Sequence, residues 1–259
     1  MCRHLAWLGP PVELAALLLD PPHSLLRQSY APLDMRCGAV ANADGFGAGW
    51  YPGGSAGGGP DADGTPVRYR RSVPMWTDTS FASLAREVRS GAVLAAVRSA
   101  TAGMPVVETA CAPFAGGRWL FSHNGVVPGW PGSLAGLAAR LPVTDLLTLD
   151  APTDSALLWA LVRSWLRDGE PLGRALRAVA ADVLAAVPDA RLNLLVTDGV
   201  EIAATTVHHS LSVRQGDGAV LVSSEPTDHA AGWQPVPDGH LLTATPSTVD
   251  VAPITPDHC

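Results

Sequence analysis

Residues 1–9 read MCRHLAWLG, a cysteine directly behind the initiator methionine at the mouth of an apolar segment. Initiator methionine is removed efficiently when the next side chain is small, so the mature chain is expected to span 2–259. Cys2 would then carry a thiol and a free α-amine on one residue. The thiolate is the nucleophilic form, with an unperturbed pKa of about 8.5, and an α-amine titrates at about 7.7–8.0. The two are matched for one to take the other's proton near neutral pH. RHLAWLG itself reads as a short buried strand. Taken alone, Cys2 is equally the accident of a frayed start, and what surrounds it in the chain decides.

The 259 residues suffice for one large domain or two small ones, and 47% hydrophobic with 16% charged residues describes a packed globule. A net charge of -7 gives no support to nucleic-acid or anionic-membrane binding. No apolar run is long enough to span a bilayer, and no basic region followed by an apolar stretch and cleavage site marks a secretion signal. The four cysteines, Cys2, Cys37, Cys111 and Cys259, are scattered without CxxC spacing, which fits a reducing cytoplasm.

Outward from the first strand, VELAALLLDPP reads as a short helix stopped by prolines, and Cys37–Asn42 as another buried strand. DGFGAGWY holds a turn and an aromatic strand end, and PGGSAGGGPDADGTP an exposed loop. TSFASLAREVRS is amphipathic, and AVLAAVRS a buried strand running up to Arg98. RWLFSHNG is a strand expected to end in a polar turn. Two helices follow. In TDSALLWALVRSWLRD the apolar stripe is Leu157, Leu158, Leu161, Val162 and Trp165, with Thr153 or Asp154 as the cap. In EPLGRALRAVAADVLAAV it is Leu172, Leu176, Val179, Val183 and Val187. RLNLLVTDG, EIAATTV, SLSVR, GAVLVSSEP, HLLTATP and STVDVAPI read as strands. No linker or repeat separates these blocks, so one α+β domain over 1–259 is expected, its sheets packed together beneath helices.

Cleaving an amide with a cysteine also requires donors for a tetrahedral oxyanion. In FSHNGVV, Asn124 would offer a side-chain amide and Gly125 a backbone N–H, glycine suiting a turn of positive φ. The same HNG is otherwise a plain hairpin turn. Arg98, at a strand end, would hold a carboxylate through two parallel bonds, or be an ordinary surface arginine. Asp154 would receive an ammonium, or simply cap its helix. Together they supply the needs of a site that hydrolyses a γ-glutamyl amide.

The MC start, DGFGAGWY, VRSATAG, FSHNG and PTDS occur in the order found in class II glutamine amidotransferases, the N-terminal-nucleophile amidohydrolases, and the chain resembles that family over most of its length. RWLFSHNG, LLVTDG, and SSEPTD followed by GWQPVPDGHL resemble in particular the family's bacterial amidohydrolases of ergothioneine biosynthesis, which remove glutamate from γ-glutamyl-hercynylcysteine sulfoxide. The resemblance implies a four-layer αββα sandwich of two stacked, mainly antiparallel sheets, with the nucleophile on the first strand. It implies Cys2 as nucleophile with its own α-amine as base, and Asn124 and Gly125 as the oxyanion hole. Arg98 would clamp the glutamate carboxylate, Asp154 would accept its amino group, and Thr101 would help hold it. Two positions depart from the common pattern: Thr101-Ala102-Gly103 replaces Thr-His-Gly, and Ala156 stands where many relatives have glutamate. Both count against free glutamine as the preferred substrate.

The expected activity is therefore a γ-glutamyl amidohydrolase acting on a small molecule, with no cofactor, no metal and no obligate protein partner. A glutaminase subunit donating ammonia to a partner and a hydrolase of glutathione-type γ-glutamyl peptides are the alternatives. So are a non-catalytic γ-glutamyl binder, and a papain-like pair of Cys2 with His123. His208–His209 and His258–Cys259 are not expected to bind zinc, since neighbours on a strand point to opposite faces. Cys37 and Cys111 read as small buried side chains. Trp76, Trp130 and the Trp50–Tyr51 strand end are candidates for the wall that meets a cationic leaving group.

Overall fold

The computed structural model describes residues 2–34, 36, 41–52 and 64–254. Met1, Cys37, His258, Cys259 and residues 53–63 of the glycine-rich loop lie outside the described residues, as does most of the strand expected at 37–42. The chain opens with β1 (Arg3–Glu13), then α1 (Leu14–Leu18), α2 (Leu25–Tyr30), β2 (Phe46–Trp50), β3 (Val67–Arg71), α3 (Thr79–Glu87) and β4 (Arg89–Val97). Its middle holds β5 (Phe114–Gly116), β6 (Trp119–Val126), α4 (Ala135–Ala138), α5 (Val143–Leu147), α6 (Asp154–Arg167) and α7 (Leu172–Ala186). The remaining strands are β7 (Arg191–Thr197), β8 (Ile202–Thr206), β9 (Ser212–Gly216), β10 (Ala219–Ser223), β11 (Gln234–Pro235), β12 (His240–Ala244) and β13 (Val249–Pro253).

These strands form two antiparallel sheets, ordered β11-β9-β10-β1-β4-β2-β3 and β13-β12-β8-β7-β6-β5. Period-2 alternation divides their side chains among three apolar layers. Ala6, Leu8, Leu94 and Val222 of the first sheet meet Leu120, Leu195 and Leu242 of the second between the sheets. On the first sheet's outer face, Leu5, Phe46, Val93 and Val97 pack against Leu14, Leu18, Leu25 and Phe81 of α1, α2 and α3. On the second sheet's outer face, Phe121, Leu192 and Leu194 meet Leu157, Leu161, Leu176 and Val183 of α6 and α7. The expected stripes of the two long helices are these contacts, with Trp165 only partly buried. Truncating one such leucine to alanine costs about 2–5 kcal/mol. The layers are helix, sheet, sheet, helix.

β1 and β4 are neighbours at the centre of the first sheet, and this places the chain start. Arg3 pairs with Val97, so Cys2 stands at the sheet end beside Arg98. Three details differ from the sequence reading. RWLFSHNG does not end in a turn: β6 continues through Gly125 to Val126, paired with Leu192 and Arg191 of β7. The edge strand β3 went unread because VRYRR lacks an apolar face of its own. His208 and His209 sit in a bend after β8, His208 at φ 80°, with their rings edge to face at 5.3 Å. Among the described residues, no group of three His, Cys, Asp or Glu side chains is placed to hold a metal.

Candidate active site

Cys2 is half-buried, and its thiol donates to Ser99 O at 3.8 Å. It lines a small cavity with Arg98 of the chain just past β4, His123 of β6, and Ser155 of α6, walled by Ala110 and Phe114. Arg98 is fixed through its backbone, its N–H donating to Gly45 O at 2.7 Å and its carbonyl accepting from Asp44 N at 3.0 Å. Its Nη1 is buried without a partner among the described residues.

Asn124 reaches the same region from the other sheet. Leu120, Ser122 and Asn124 share the face of β6 that looks at β1. Leu120 packs in the inter-sheet layer with Ala6 and Leu8, and Ser122 Oγ meets His4 Nδ1 at 3.2 Å. The next step of both alternations sets Asn124 toward Cys2. The Asn124 side chain is wholly buried, yet neither its Nδ2 nor its Oδ1 has a partner among the described residues. Leaving such a group unpaired costs about 1–3 kcal/mol, so the Asn124 amide calls for a partner beyond the described protein atoms. β5 pairs with β6 only over Trp119–Phe121, so the edge of β6 that carries Asn124 and Gly125 runs on past its partner.

Gly125 is required for a different reason from the one its turn-like context suggests. Its φ is not among the positive values. A Cβ there would lie 1.8 Å from Arg191 O and 2.5 Å from His123 Nε2, so only glycine lets β6 and β7 approach so closely.

His123 has both ring nitrogens engaged. Nε2 lies 2.9 Å from Arg191 O, a pure acceptor, so Nε2 carries a hydrogen; Nδ1 meets Ser155 Oγ at 2.9 Å. Neither nitrogen is free to take the Cys2 proton, which counts against the papain-like arrangement. Asp154 is buried at the start of α6. Its Oδ2 accepts from Val127 N at 3.0 Å and its Oδ1 from Ser155 N at 2.8 Å, tying the end of β6 to that helix. The helix cap is Thr153, whose Oγ1 accepts from Ala156 N. Thr101 is exposed on the loop after β4 and does not line the Cys2 cavity. Trp50, Trp76, Trp130 and Tyr51 do not line it either. Trp50 pairs with Val93, four residues back along β4 from Val97, and Tyr51 bonds Thr197 O on the far sheet.

The sequence reading missed the network behind the nucleophile. Arg3 is wholly buried, and its Nη2 lies 2.8 Å from Glu225 Oε1 and 2.6 Å from Asp34 O, while Nη1 donates to Cys2 O at 3.3 Å. Glu225 also receives His23 Nε2 at 2.6 Å and the N–H groups of Leu33 and Asp34. The SSEPTD stretch was the available signal, because a glutamate carried close behind a buried strand must find a partner if it is buried too. Replacing Glu225 by glutamine strands a buried guanidinium, and breaking such a pair costs about 3–5 kcal/mol. Glu225→Gln is therefore expected to lower the Tm by several degrees and kcat more than KM. Thermal denaturation alongside steady-state kinetics checks this, and an unshifted Tm would show the pair to be dispensable.

The same region makes stability depend on pH. Burial, then the charges of His123, Arg3 and His209, takes His4 down to about 3. Burial, then His208, Arg3, Arg191 and His123, takes His209 down to about 3. Burial pushes Glu225 up, but the bonds from His23 and Leu33, the Arg3 charge and the Asp34 N–H outweigh it and leave it at about 2. Each folded value lies below its unfolded one, so each contribution is complete above the unfolded pKa and lost as pH falls. The histidines act below about 6.5, each adding a slope of up to about 1.4 kcal/mol per pH unit. Glu225 adds to the loss below about 4.3. Denaturation midpoints measured from pH 7.5 down to pH 4 should fall steadily, and a flat profile would contradict the buried neutral histidines.

Two antiparallel sheets face to face between helical layers, with a cysteine heading a central strand, define the αββα class of N-terminal-nucleophile hydrolases. The family described as class II glutamine amidotransferases matches residues 13–215. A γ-glutamyl-hercynylcysteine sulfoxide hydrolase of Mycolicibacterium smegmatis is 44% identical over 254 residues, covering 98% of this chain and 100% of that protein. A protein of the same description from Mycobacterium tuberculosis is 43% identical, covering 95% and 93%. Among solved structures, a glutamine aminotransferase class-II domain protein of Silicibacter pomeroyi superposes with a TM-score of 0.66 at 26% identity, covering 98% of this chain and 100% of that one. The glutamine phosphoribosylpyrophosphate amidotransferase of B. subtilis shares the fold, with a TM-score of 0.65 at 14% identity over 99% of this chain and 50% of its own. The chain belongs to the class II glutamine amidotransferase family. No helix of the described residues is long and apolar enough to cross a membrane.

Proposed function

We propose that the protein is a γ-glutamyl amidohydrolase of one catalytic domain, releasing glutamate from γ-glutamyl-hercynylcysteine sulfoxide. The observation that supports the chemistry is the meeting of the Cys2 thiol and Arg98 in one cavity, with the unpartnered Asn124 amide set toward it. The likeness to the M. smegmatis hydrolase over the whole chain supports the substrate. In this reading the mature chain begins at Cys2, and its neutral α-amine takes the thiol proton. The thiolate adds to the γ-carbonyl, and the oxyanion is met by Asn124 Nδ2 and the Gly125 N–H. The ammonium so formed returns its proton to the leaving nitrogen as the C–N bond breaks. A glutamyl thioester remains. Water, deprotonated by the same amine, attacks it and frees glutamate with the thiol restored. Arg98 holds the substrate carboxylate, and the lone pairs of Asp154 not used by Val127 N and Ser155 N receive its ammonium group.

The test is kcat/KM for the hercynyl substrate, γ-glutamylcysteine and glutamine at one pH. The hercynyl compound should lead, because ammonia, the leaving group of glutamine, is too small to use a side subsite. Glutamine hydrolysed as well as the hercynyl compound would instead indicate a glutaminase that hands ammonia to a partner.

A further inference from the structure

A second cavity, of about 320 Å³, opens at the Cys2 end of the first sheet, on the side of β1 away from Arg98. Its walls include Asp34, Arg36, His209, Ser224, Pro226 and Asp238. The strand register locates it. Leu5 pairs with Ser223, and Ser224 N donates to His4 O, so Ser224 stands beside His4, two residues from Cys2. Val220, Val222 and Leu211 lie in the inter-sheet layer with Ala6 and Leu8, so Ser224 shares the sheet face of His4 and Cys2. Adjacent strands are about 4.8 Å apart, so a cavity at the ends of β10 and β9 reaches from roughly 5 to roughly 10 Å beyond β1.

The wall is charged in both senses. Asp34 and Arg36 pair at 2.9 Å, Arg36 Nη1 donates to His208 O at 2.9 Å, and Asp238 Oδ1 accepts from His208 N at 2.6 Å. His209 is 3% exposed, and its Nδ1 has no partner among the described residues. No aromatic ring other than this imidazole is among the described lining residues. A cation entering here meets carboxylates rather than ring faces.

We propose that this cavity is the subsite for the departing half of the substrate and recognises a betaine-type zwitterion. The trimethylammonium lies against Asp238 and Asp34, and the neighbouring carboxylate against Arg36. The inference rests on the functional reading above. With the glutamyl half on the Arg98 side of Cys2, the leaving nitrogen points across β1 toward β10. The chain from that nitrogen to the trimethylammonium runs through a cysteine, a sulfoxide and an imidazole ring, a reach that matches a cavity two strands wide.

The experiment compares wild type with Asp238→Asn and Asp238→Lys, both at an exposed position. The ratio of kcat/KM for the hercynyl substrate over γ-glutamylglycine should fall about tenfold in the lysine variant and less in the asparagine variant. Calorimetry with N,N,N-trimethylhistidine should show binding to wild type that plain histidine lacks and that Asp238→Lys abolishes. An unchanged ratio in both variants, or trimethylhistidine bound no better than histidine, would overturn the subsite. If the wild type does not favour the hercynyl substrate while trimethylhistidine binding still depends on Asp238, the functional reading fails and the zwitterion site stands.

Discussion

Cys2→Ala is expected to lower kcat by roughly 10⁴–10⁶-fold, the range seen when a covalent nucleophile is deleted from an otherwise intact site. The fold should survive, because the Cys2 side chain makes a single long contact with Ser99 O and belongs to none of the apolar layers. Binding of a γ-glutamyl ligand should persist through Arg98. Cys111 supplies the contrast. Burial pushes its thiol up to about 11, and it donates to Arg71 O, so it is a packed thiol rather than a nucleophile. Cys111→Ala is expected to retain turnover. Intact-mass measurement completes the test: the active chain should lack Met1, since a blocked amine cannot take the thiol proton. A Cys2→Ala protein with near-normal kcat would require another nucleophile.

Asn124→Ala should lower kcat by roughly 10²–10³-fold with little change in KM, as for a donor whose bond forms mainly in the transition state. The structure argues for this asymmetry. The Asn124 amide is buried and makes no bond to the protein among the described residues, so its removal disturbs no framework contact. The neighbouring His123 and Asp154, by contrast, are bound to Arg191 O, Ser155 and Val127, and their loss would shift the backbone around them. An Asn124→Ala effect confined to KM would recast the residue as a ground-state binder.

Much of the scaffold was legible because it rests on short periods. AVLAAV is a strand buried on both faces, and the stripes of α6 and α7 repeat at helical spacing, so local pattern and final burial agree. The site was legible in its parts: Cys2, Arg98, Asn124 and Gly125 all lie at strand ends or on β6. The reasons behind two of them were not. Gly125 reads as a turn glycine until Arg191 is placed across from it, and Asn124 reads as a turn residue until β6 is seen to run on to Val126. The Trp50–Tyr51 strand end looked suited to a binding wall, but its register sends it away from Cys2.

Residue order alone determined most element types, the α+β class and the presence of a cysteine at the head of the first strand, because each follows from side-chain period and chain position. Tertiary structure decided everything that depends on which strands become neighbours. Arg3 finds Glu225, and with it His23 and the Leu33–Asp34 backbone, only because β1 pairs with β10 rather than with β2. Ser122 meets His4 only because the two sheets stack with those faces inward. Pairing between distant strands is settled by the burial of whole sheet faces and the closure of long loops. No local window of sequence carries that information.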